Sequence, residues 1–463
     1  MHIHILGICG TFMGGIAVLA RDMGVTVTGS DSNIYPPMST QLEELGINIS
    51  HYDAKNLDPE PDIVVIGNAL SRGNPEVEAV LERDMNYISG PQWLAEHFLR
   101  GRHVLAVAGT HGKTTTSSML AWILEYAGLE PGFLIGGIPQ NFGISARAGG
   151  GKYFVIEADE YDTAFFDKRS KFIHYHPKTL ILNNLEFDHA DIFSDLDAIK
   201  QQFHFLIRTV PGSGQLVINA DDSSLQDVIN KGCWSEKTCF SLSDRTDCDW
   251  QIGQSAADYS NFDVLHNGLP QGSLDWALMG AHNAANGLSA IAAAAHIGIT
   301  PDKAIEALNK FKNVKRRMEI RGTINDVTVY DDFAHHPTAI ATTLQGLRKH
   351  SVDERILAVL EPRSNTMKMG IHKETLINSL QLADSIFIYQ PENIEWSIAN
   401  QKNSGSPGLA IHTDIDMLVD EVVSMSLPGD SILVMSNGGF AGIHEKLLLA
   451  LEHKHPLPET SNT

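Results

Sequence analysis

The chain repeats one pattern three times: a short apolar run, a glycine-rich or acidic turn, and then apolar residues at helical spacing. This order is typical of parallel strands joined by crossover helices, and it predicts an α/β fold. Strands are expected at residues 3–6, 25–28, 63–66, 103–108, 153–156, 180–182, 327–330, 356–360, 385–389 and 431–435.

Three domains are expected, and a length of 463 residues suits that number. They are an N-terminal Rossmann-like domain over residues 1–100, a central mononucleotide-binding domain with a parallel or mixed sheet over 101–321, and a C-terminal Rossmann-like domain over 322–463. Residues 232–280 are polar and irregular, so no strand can be predicted there.

The strongest local motif lies between the run 103–108 and a helical pattern, and reads Gly109-Thr110-His111-Gly112-Lys113-Thr114-Thr115-Thr116. Backbone N–H groups at a helix N-terminus point at an anion, Lys113 adds a charge for the outer phosphates, and the Thr114 hydroxyl can ligate Mg²⁺. Val107 stands where the strict motif has its first glycine. The motif predicts a nucleoside triphosphate site, and a loop that binds no ligand is the alternative.

Two further predicted strands end in polar residues. The run 153–156 leads into Glu157-Ala158-Asp159-Glu160-Tyr161-Asp162, and the run 180–182 leads into Asn183 and, six residues later, His189. Ligands bind at the carboxyl ends of parallel strands, and carboxylate oxygens suit Mg²⁺. The three strand ends are therefore expected to meet at one pocket, although acidic residues after a strand also form plain solvated turns.

The first predicted strand is followed by Gly7, Gly10 and Gly14, and the second by Asp31. This spacing is not GxGxxG, so it is a weak signal for a nicotinamide dinucleotide. It suits a pyrophosphate at a helix N-terminus, which a nucleotide sugar also carries. Glycines that only form a tight turn are the alternative.

The formal net charge of −22 argues against a nucleic-acid partner. The four cysteines have neither CxxC spacing nor the density of a disulfide scaffold, so a reduced, cytoplasmic setting is expected. No run is long enough to span a membrane and no signal peptide is evident. The sequence leaves the oligomeric state open.

Taken together, seven segments in order resemble the Mur ligase family, ATP-dependent amide-forming enzymes of peptidoglycan synthesis. The segments are GICGTFMGG, GTHGKTTT, EADEYD, NNLEFDHADIF, GAHNAANGLSAIAAA, VKRRMEIRG and YDDFAHHPTAI. The resemblance covers nearly the whole chain. It implies ATP and Mg²⁺ as cofactors, and UDP-N-acetylmuramate as the acid that is joined to an amine.

The resemblance also implies the site residues. The reaction centre would contain Lys113, Glu157, His189 and Arg317. ATP would contact Gly109, Thr110, His111, Gly112, Lys113, Thr114, Thr115, His282, Asn283, Asn286, Arg317 and Asp332. Mg²⁺ would be held by Thr114, Glu157 and His189. The UDP-sugar would contact Gly7, Gly10, Thr11, Met13, Gly14, Asp31 and Asn68. His335 and His336 belong to a matching motif. Taken singly, His189 could be an ordinary hydrogen-bonded histidine, and Asn283 could cap the alanine-rich helix.

The C-terminal segments EPRSNTMKMG and MSNGGF differ from the branch of the family that adds L-alanine. They imply that the acceptor is the recycled tripeptide L-alanyl-γ-D-glutamyl-meso-diaminopimelate. Candidates for contacts with it are Arg363, Ser364, Asn365, Lys368 and Asn437. Several relatives carry a carbamoylated lysine after the segment with His189, but Phe203 stands at that place, so a modified lysine is not expected. The alternatives are an L-alanine ligase, a nicotinamide-dependent oxidoreductase and a nucleotide-switched binding module.

Overall fold

The structure is a computed structural model that describes residues 1–34, 38–245, 247–390, 394, 396, 398 and 408–454. It contains three sheets covered by helices, one for each predicted α/β block, and a separate two-stranded hairpin. The predicted three-domain α/β fold is confirmed.

The N-terminal sheet has five parallel strands in the order β3-β2-β1-β4-β5. Its strands are β1 (His2–Leu6), β2 (Thr26–Ser30), β3 (Asn48–Ser50), β4 (Ile63–Ile66) and β5 (Tyr87–Ser89). Its helices are α1 (Thr11–Asp22), α2 (Met38–Glu44), α3 (Pro75–Glu82) and α4 (Gly90–Leu94), with a 3₁₀ turn at Ala54–Leu57 and a π turn at Ala95–Leu99.

The central sheet has ten strands in the order β17-β16-β15-β14-β13-β12-β6-β9-β7-β8. These are β6 (His103–Ala108), β7 (Gly132–Leu134), β8 (Ala146–Arg147), β9 (Tyr153–Ala158), β12 (Thr179–Leu182), β13 (Gln215–Asn219), β14 (Glu236–Ser241), β15 (Trp250–Ser255), β16 (Asn261–His266) and β17 (Leu269–Asp275). A hairpin of β10 (Asp162–Ala164) and β11 (Asp167–Ser170) follows β9, and a 3₁₀ turn at Lys171–His174 follows the hairpin. The helices are α5 (Lys113–Tyr126), α6 (Leu196–Ile207), α7 (Ser223–Asn230), α8 (Ala281–His296) and α9 (Pro301–Leu308).

The C-terminal sheet has the order β18-β19-β23-β20-β21-β22, and only the pair β18–β19 is antiparallel among its described strands. Its strands are β18 (Glu319–Ile324), β19 (Val327–Asp332), β20 (Ile356–Leu360), β21 (Ser385–Tyr389), β22 (Gly408–His412) and β23 (Ser431–Met435). Its helices are α10 (Pro337–His350), α11 (Asn365–Lys368), α12 (Lys373–Ser379), α13 (Ile415–Met425) and α14 (Ile443–Lys454), with a 3₁₀ turn at Phe440–Gly442. The predicted boundary between residues 321 and 322 falls within β18; the domain boundaries stay predictions.

All ten runs predicted as strands form strands, with ends shifted by a few residues. The buried strands β12 and β20, and β6 after its partly exposed His103, read as apolar runs because helices cover both faces of their sheets. The strands β14–β17 were not predicted, because they form the more exposed end of the sheet and their exposed positions carry polar residues.

The two domain interfaces differ in chemistry. One apolar cluster runs from the N-terminal domain into the central sheet, where the Phe98 and Phe154 rings lie 5.2 Å apart. The C-terminal domain instead makes polar contacts with the central domain: Thr366 Oγ1 donates to Asp188 at 2.9 Å, and His350 Nδ1 lies 2.8 Å from an oxygen of Asp258. Polar interfaces of this kind are typical of domains that move relative to each other.

Candidate active site

The turn between β6 and α5 is shaped by two glycines with left-handed backbone angles, Gly109 at φ +149° and Gly112 at φ +81°. A Cβ on Gly112 would overlap the Asn286 side chain, and a Cβ on Gly109 would lie 3.1 Å from that of Asn183. Any larger residue would therefore fill the cradle as well as strain the backbone. The turn leaves free backbone N–H groups at the start of a 14-residue helix, which is a ready anion site.

Lys113, the first residue of α5, is anchored by Glu160. Its Nζ donates to Glu160 Oε2 at 2.8 Å, and their side chains are 11% and 2% exposed. Burial by itself would lower the pKa of Lys113, but the charges of Glu160 and Asp159 outweigh it and raise the pKa. Lys113 therefore stays protonated. Nothing in the spacing of residues distinguishes Glu160 from the other carboxylates of that segment.

Glu157 joins the phosphate turn to the loop after β7. Its Oε1 accepts from Thr114 Oγ1 at 3.0 Å, and its Oε2 accepts from the Gly136 N–H at 2.7 Å. Burial raises the pKa of Glu157 despite the nearby Lys113. A carboxylate and a threonine hydroxyl this close are the hard oxygen donors that Mg²⁺ prefers.

His189 is held in a left-handed conformation, at φ +56°, with its Nε2 3.1 Å from Glu160 Oε1. Burial would lower its pKa, but the hydrogen bond and charge of Glu160 outweigh it and raise the pKa. The ligand atoms of Asp159, Glu160 and His189 lie within 4.8 Å of one another. A cation there would take the place of the His189 proton, so this group also fits a metal.

Arg317 reaches the phosphate turn from the segment that enters the C-terminal sheet. Its Nη2 lies 3.4 Å from Thr114 Oγ1, and its guanidinium stacks 4.8 Å from the centre of the Phe333 ring. Three predicted reaction-centre residues thus come together with Thr114 around one turn. His189 joins them through Glu160.

The start of α8 packs directly against the phosphate turn. Asn286 Oδ1 accepts from Asn183 Nδ2 at 3.4 Å, and the same amide donates to Thr116 Oγ1 at 2.8 Å. Asn283 donates to the Met279 carbonyl at 2.8 Å instead of capping the helix. The Nδ1 atom of the partly buried His282 is inaccessible and lacks a partner among the described residues, and desolvation lowers the pKa of the ring to about 4.

Asp332, predicted at the ribose, ends β19. Its two oxygens accept backbone N–H groups of Met318 and Ala334, each at 2.9 Å. Burial raises its pKa. In this structure the carboxylate holds the entry into the C-terminal sheet, and its role at ATP stays a prediction.

A second cluster, not foreseen from the sequence, joins the phosphate turn to the C-terminal domain. His111 Nε2 lies 3.1 Å and His336 Nδ1 3.5 Å from Glu186 Oε2. Thr110 also contacts Glu186, by accepting from its backbone N–H at 2.9 Å. Burial and the neighbouring His111 lower the pKa of His336 to about 4. Sequence alone could not reveal the group, because its members come from separate segments.

A cavity of about 300 Å³ lies between the N-terminal glycine turn and the end of β9. Five of the residues predicted for the UDP-sugar line it: Gly7, Gly10, Thr11, Met13 and Asn68. Gly14 and Asp31 do not. Gly14 packs against Met38, and Asp31 Oδ2 accepts from the Cys9 N–H at 2.9 Å, which supports the turn from behind.

The central domain supplies the opposite wall of this cavity, namely Gly136, Glu157, Asp159 and Lys171, together with Leu134 and Ile135. Lys171 and Asp159 were not singled out from the sequence, since Lys171 lies outside the quoted motifs and Asp159 is one of four carboxylates in its segment. Glu157 lines the cavity and contacts Thr114, so the cavity and the phosphate turn meet at this carboxylate.

Of the five residues predicted for the peptide, Arg363 and Ser364 lie in the turn after β20, Asn365 and Lys368 in α11, and Asn437 in the turn after β23. Ser364 caps α11, and the Asn365 amide donates to Asp191 at 2.9 Å across the domain boundary. The Arg363 side chain packs over Gly438. Arg363 is exposed and Lys368 partly so. Asn437 Oδ1 is buried, with no partner among the residues described. The roles of these five residues stay predictions.

Phe203, at the place where some relatives carry a modified lysine, is fully buried and packs edge-to-face on Phe172 at 5.5 Å. Within the described parts of the chain, no helix is both long and apolar enough to cross a bilayer. The cytoplasmic location stays a prediction.

Comparison with known protein families identifies the family to which this chain belongs. Residues 2–102 match the Mur ligase family catalytic domain, residues 107–294 the Mur ligase middle domain, and residues 316–438 the Mur ligase glutamate ligase domain. The chain therefore belongs to the Mur ligase family, whose members use ATP.

Individual relatives are similar over their whole length. The chain is 58% identical to the UDP-N-acetylmuramate--L-alanyl-gamma-D-glutamyl-meso-2,6-diaminoheptandioate ligase of Escherichia coli K12, covering 98% of this chain and 99% of that protein. It is 31% identical to the UDP-N-acetylmuramate--L-alanine ligase of Desulforapulum autotrophicum, covering 96% of this chain and 98% of that protein. The crystal structure of a murein peptide ligase from Psychrobacter arcticus 273-4 is 49% identical, has a TM-score of 0.77, and covers 99% of this chain and 100% of that one.

Proposed function

We propose that this protein is an ATP-dependent ligase that joins the tripeptide L-alanyl-γ-D-glutamyl-meso-diaminopimelate to UDP-N-acetylmuramate, in peptidoglycan recycling. The observation that carries the proposal is the position of Glu157. This side chain lines the cavity at the N-terminal glycine turn and also accepts the Thr114 hydroxyl of the phosphate turn. An acid bound in the cavity would thus lie next to the terminal phosphate of ATP.

Amide formation needs this proximity, because a carboxylate is a poor electrophile. In the proposed reaction an oxygen of the lactyl carboxylate bonds to the γ-phosphorus, and the bond from phosphorus to the β,γ-bridging oxygen breaks to release ADP. The neutral α-amine of the peptide then attacks the acyl carbon, loses a proton and expels phosphate. Positioning supplies much of the acceleration, since three substrates must meet at one carbon.

Two cations of the chain stabilise the charge on the transferring phosphoryl group. Lys113 remains protonated beside Glu160, and Arg317 lies at the Thr114 hydroxyl. Fixed cations of this kind act where negative charge is transferred and need little reorganisation. The anchoring of Lys113 by a buried carboxylate keeps its ammonium group at the mouth of the turn.

The donor set at the turn fits Mg²⁺. Thr114 and Glu157 would hold one ion, and His189 a second, with Glu157 shared between them. When bound, Mg²⁺ neutralises phosphate charge and orients the oxygens of ATP. The close pair of Thr114 and Glu157, and the His189–Glu160 contact that a cation could replace, support this assignment.

The acceptor is assigned to the C-terminal domain, where Arg363 is exposed and the buried Asn437 Oδ1 finds no partner in the described part of the chain. An arginine suits the carboxylates of a peptide that carries several of them. The name of the 58% identical E. coli relative supports the tripeptide as acceptor.

The proposal is tested by incubating the protein with ATP, Mg²⁺, UDP-N-acetylmuramate labelled with ¹⁸O in its lactyl carboxylate, and the tripeptide. We expect the mass of the UDP-muramyl tripeptide and one ¹⁸O atom in the released phosphate. L-Alanine in place of the tripeptide should give far less product. Unlabelled phosphate would contradict the acyl-phosphate route, and preferential use of L-alanine would contradict the assigned acceptor.

A further inference from the structure

Lys171 is a buried cation to which the reaction described above assigns no role. It begins the 3₁₀ turn after the β10–β11 hairpin, and its backbone N–H donates to the Tyr161 carbonyl at 2.9 Å. The residue is only 6% exposed, yet it lines the cavity between the N-terminal and central domains. Burying an ammonium group is costly unless something compensates its charge, so the position requires an explanation.

The surroundings direct the Lys171 ammonium group towards the domain boundary. Its Nζ lies 5.3 Å from the centre of the Phe12 ring in α1 and 5.5 Å from that of the Tyr161 ring. Both distances are within the range of cation–π attraction. The side chain of a central-domain residue is thereby held against the first turn of the N-terminal helix.

The one acceptor that the described residues offer to Nζ is Asp159 Oδ2, at 3.3 Å. This is a long contact for a charge-assisted hydrogen bond, which is usually 2.7–2.9 Å. An ammonium group carries three donors, so Lys171 has capacity for a further anionic partner.

The charge of the cavity wall indicates what that partner is. The lining contains two carboxylates, Glu157 and Asp159, and Lys171 is the single Lys or Arg that the described residues contribute to it. On the proposed function, the ligand brings a third carboxylate and a diphosphate into this space. Without a cation, the acid would be repelled by the wall that has to receive it.

The place of Lys171 distinguishes the two anionic groups of that ligand. Its partner Asp159 is two residues beyond Glu157, which contacts the phosphate turn through Thr114. The diphosphate has its own donors in the N–H groups of the first turn of α1, which begins at Thr11 and has no side-chain cap. The carboxylate end of the ligand therefore belongs beside Lys171.

We infer that Lys171 binds the lactyl carboxylate of UDP-N-acetylmuramate, and so selects the acid over sugar nucleotides that lack it. The inference rests on the proposed function and deepens it. Lys171 holds the carboxylate against the repulsion of Glu157 and Asp159 while that group is directed at ATP. It also couples binding of the acid to the contact between the first two domains.

The test compares two ligands that differ in the lactyl group, UDP-N-acetylmuramate and UDP-N-acetylglucosamine. Their dissociation constants are measured by calorimetry on the full chain, for the wild type and for Lys171→Met. We expect the variant to bind UDP-N-acetylmuramate about 10- to 100-fold more weakly, as for loss of a hydrogen bond to a charged group. Its affinity for UDP-N-acetylglucosamine should change by less than about twofold, and Lys171→Arg should retain part of the preference.

The control is Lys168→Met on the same hairpin, because Lys168 is exposed, bonds to Asp162 and does not line the cavity. Equal losses for the two ligands would show that Lys171 serves the diphosphate and would overturn the inference, as would unchanged affinities. If Lys171→Met does not fold, Lys171→Gln carries the same comparison. Failure of the proposed function is separate, since the wild type would then form no amide from UDP-N-acetylmuramate.

Discussion

The two glycine-rich turns that open α1 and α5 have the same position after a buried parallel strand, but they obtain positive charge in different ways. The turn before α5 carries its own cation, Lys113, which Glu160 anchors at 2.8 Å. The turn before α1 contains no charged residue between Gly7 and Gly14. The cation that lies against it, Lys171, comes from the other domain. The turn before α5 thus combines backbone N–H groups with its own charge, whereas at the first turn the N–H groups are left to the diphosphate and the cation from the central domain faces the carboxylate of the acid.

The comparison is tested most strongly by Lys113→Met. Removal of a fixed cation from the transferring phosphoryl group should lower turnover by about 10²- to 10³-fold, while the affinity for UDP-N-acetylmuramate stays unchanged. Phosphate release and calorimetry measure the two quantities. The substitution also leaves Glu160 buried without its cation, so Lys113→Met/Glu160→Gln is the control for stability. Normal turnover in either variant would remove Lys113 from the mechanism.

The next largest difference is expected between two glycine-to-alanine substitutions, Gly112→Ala in the turn before α5 and Gly10→Ala in the turn before α1. Gly112 has φ +81° and a Cβ would overlap Asn286, whereas Gly10 has φ −68° and the nearest atom to a Cβ would be 3.4 Å away. Gly112→Ala should lower the free energy of unfolding by about 1–2 kcal/mol and raise the KM for ATP several-fold. Gly10→Ala should stay within about 0.5 kcal/mol of the wild type. Denaturant titrations and ATP kinetics check this, and equal effects would contradict the described geometry.

Asp31→Asn tests the hydrogen bonds that hold the turn before α1. The two carboxylate oxygens accept the N–H groups of Cys9 and Asn33, each at 2.9 Å. An amide offers one acceptor oxygen, so one N–H loses its partner at a cost of about 1 kcal/mol. We expect a few-fold weaker affinity for UDP-N-acetylmuramate and an unchanged KM for ATP. A change confined to ATP would show that Asp31 acts elsewhere.

The smallest expected effect concerns acid stability of the strand that leads to the second turn. His103, at the start of β6, lies 2.9 Å from the Thr179 hydroxyl, and burial lowers its pKa from 6.5 to about 4. Because the folded-state pKa is below the unfolded value, protonation favours unfolding. The stability that neutral His103 contributes to the folded state is complete above pH 6.5 and is lost as the pH falls towards 4.

The difference in free energy of unfolding between the wild type and His103→Gln should therefore shrink by about 1 kcal/mol as the pH falls from 6.5 to 4. This value is reduced because the ring is partly exposed to solvent. Denaturant titrations at a series of pH values measure the difference. Parallel pH dependences would show that the ring titrates normally in the folded protein.

Two kinds of structure could be predicted from the sequence. Buried strands such as β6 and β20 were predictable because their residues form an apolar run, and the phosphate turn was predictable because one motif defines it. The strands β14–β17 could not be predicted, because exposed strands carry no clear apolar pattern. These strands extend the sheet away from the candidate site.

Site residues were predictable where they lie close together in one segment with the spacing of a known motif, as Lys113 and Thr114 do. Partners brought in from distant segments could not be read from spacing. Glu160 was one of four carboxylates in its segment, and its selection depends on how the chain leaves β9. Lys171 has no motif, and its importance comes only from the closeness of α1 and the acidic strand end.

Arg317 lies in the joint between the second and third domains, so the position of its charge at the phosphate turn depends on the backbone that connects them. Three residues of the joint, Asn313, Arg316 and Met318, have left-handed backbone angles. Its first half is bonded to the central domain through the Lys315 N–H, and its second half to Asp332 through the Met318 N–H. A swing of the third domain would withdraw the guanidinium group from Thr114. The distance of this cation from the phosphate turn is therefore set by the orientation of the third domain, and not by the central domain alone.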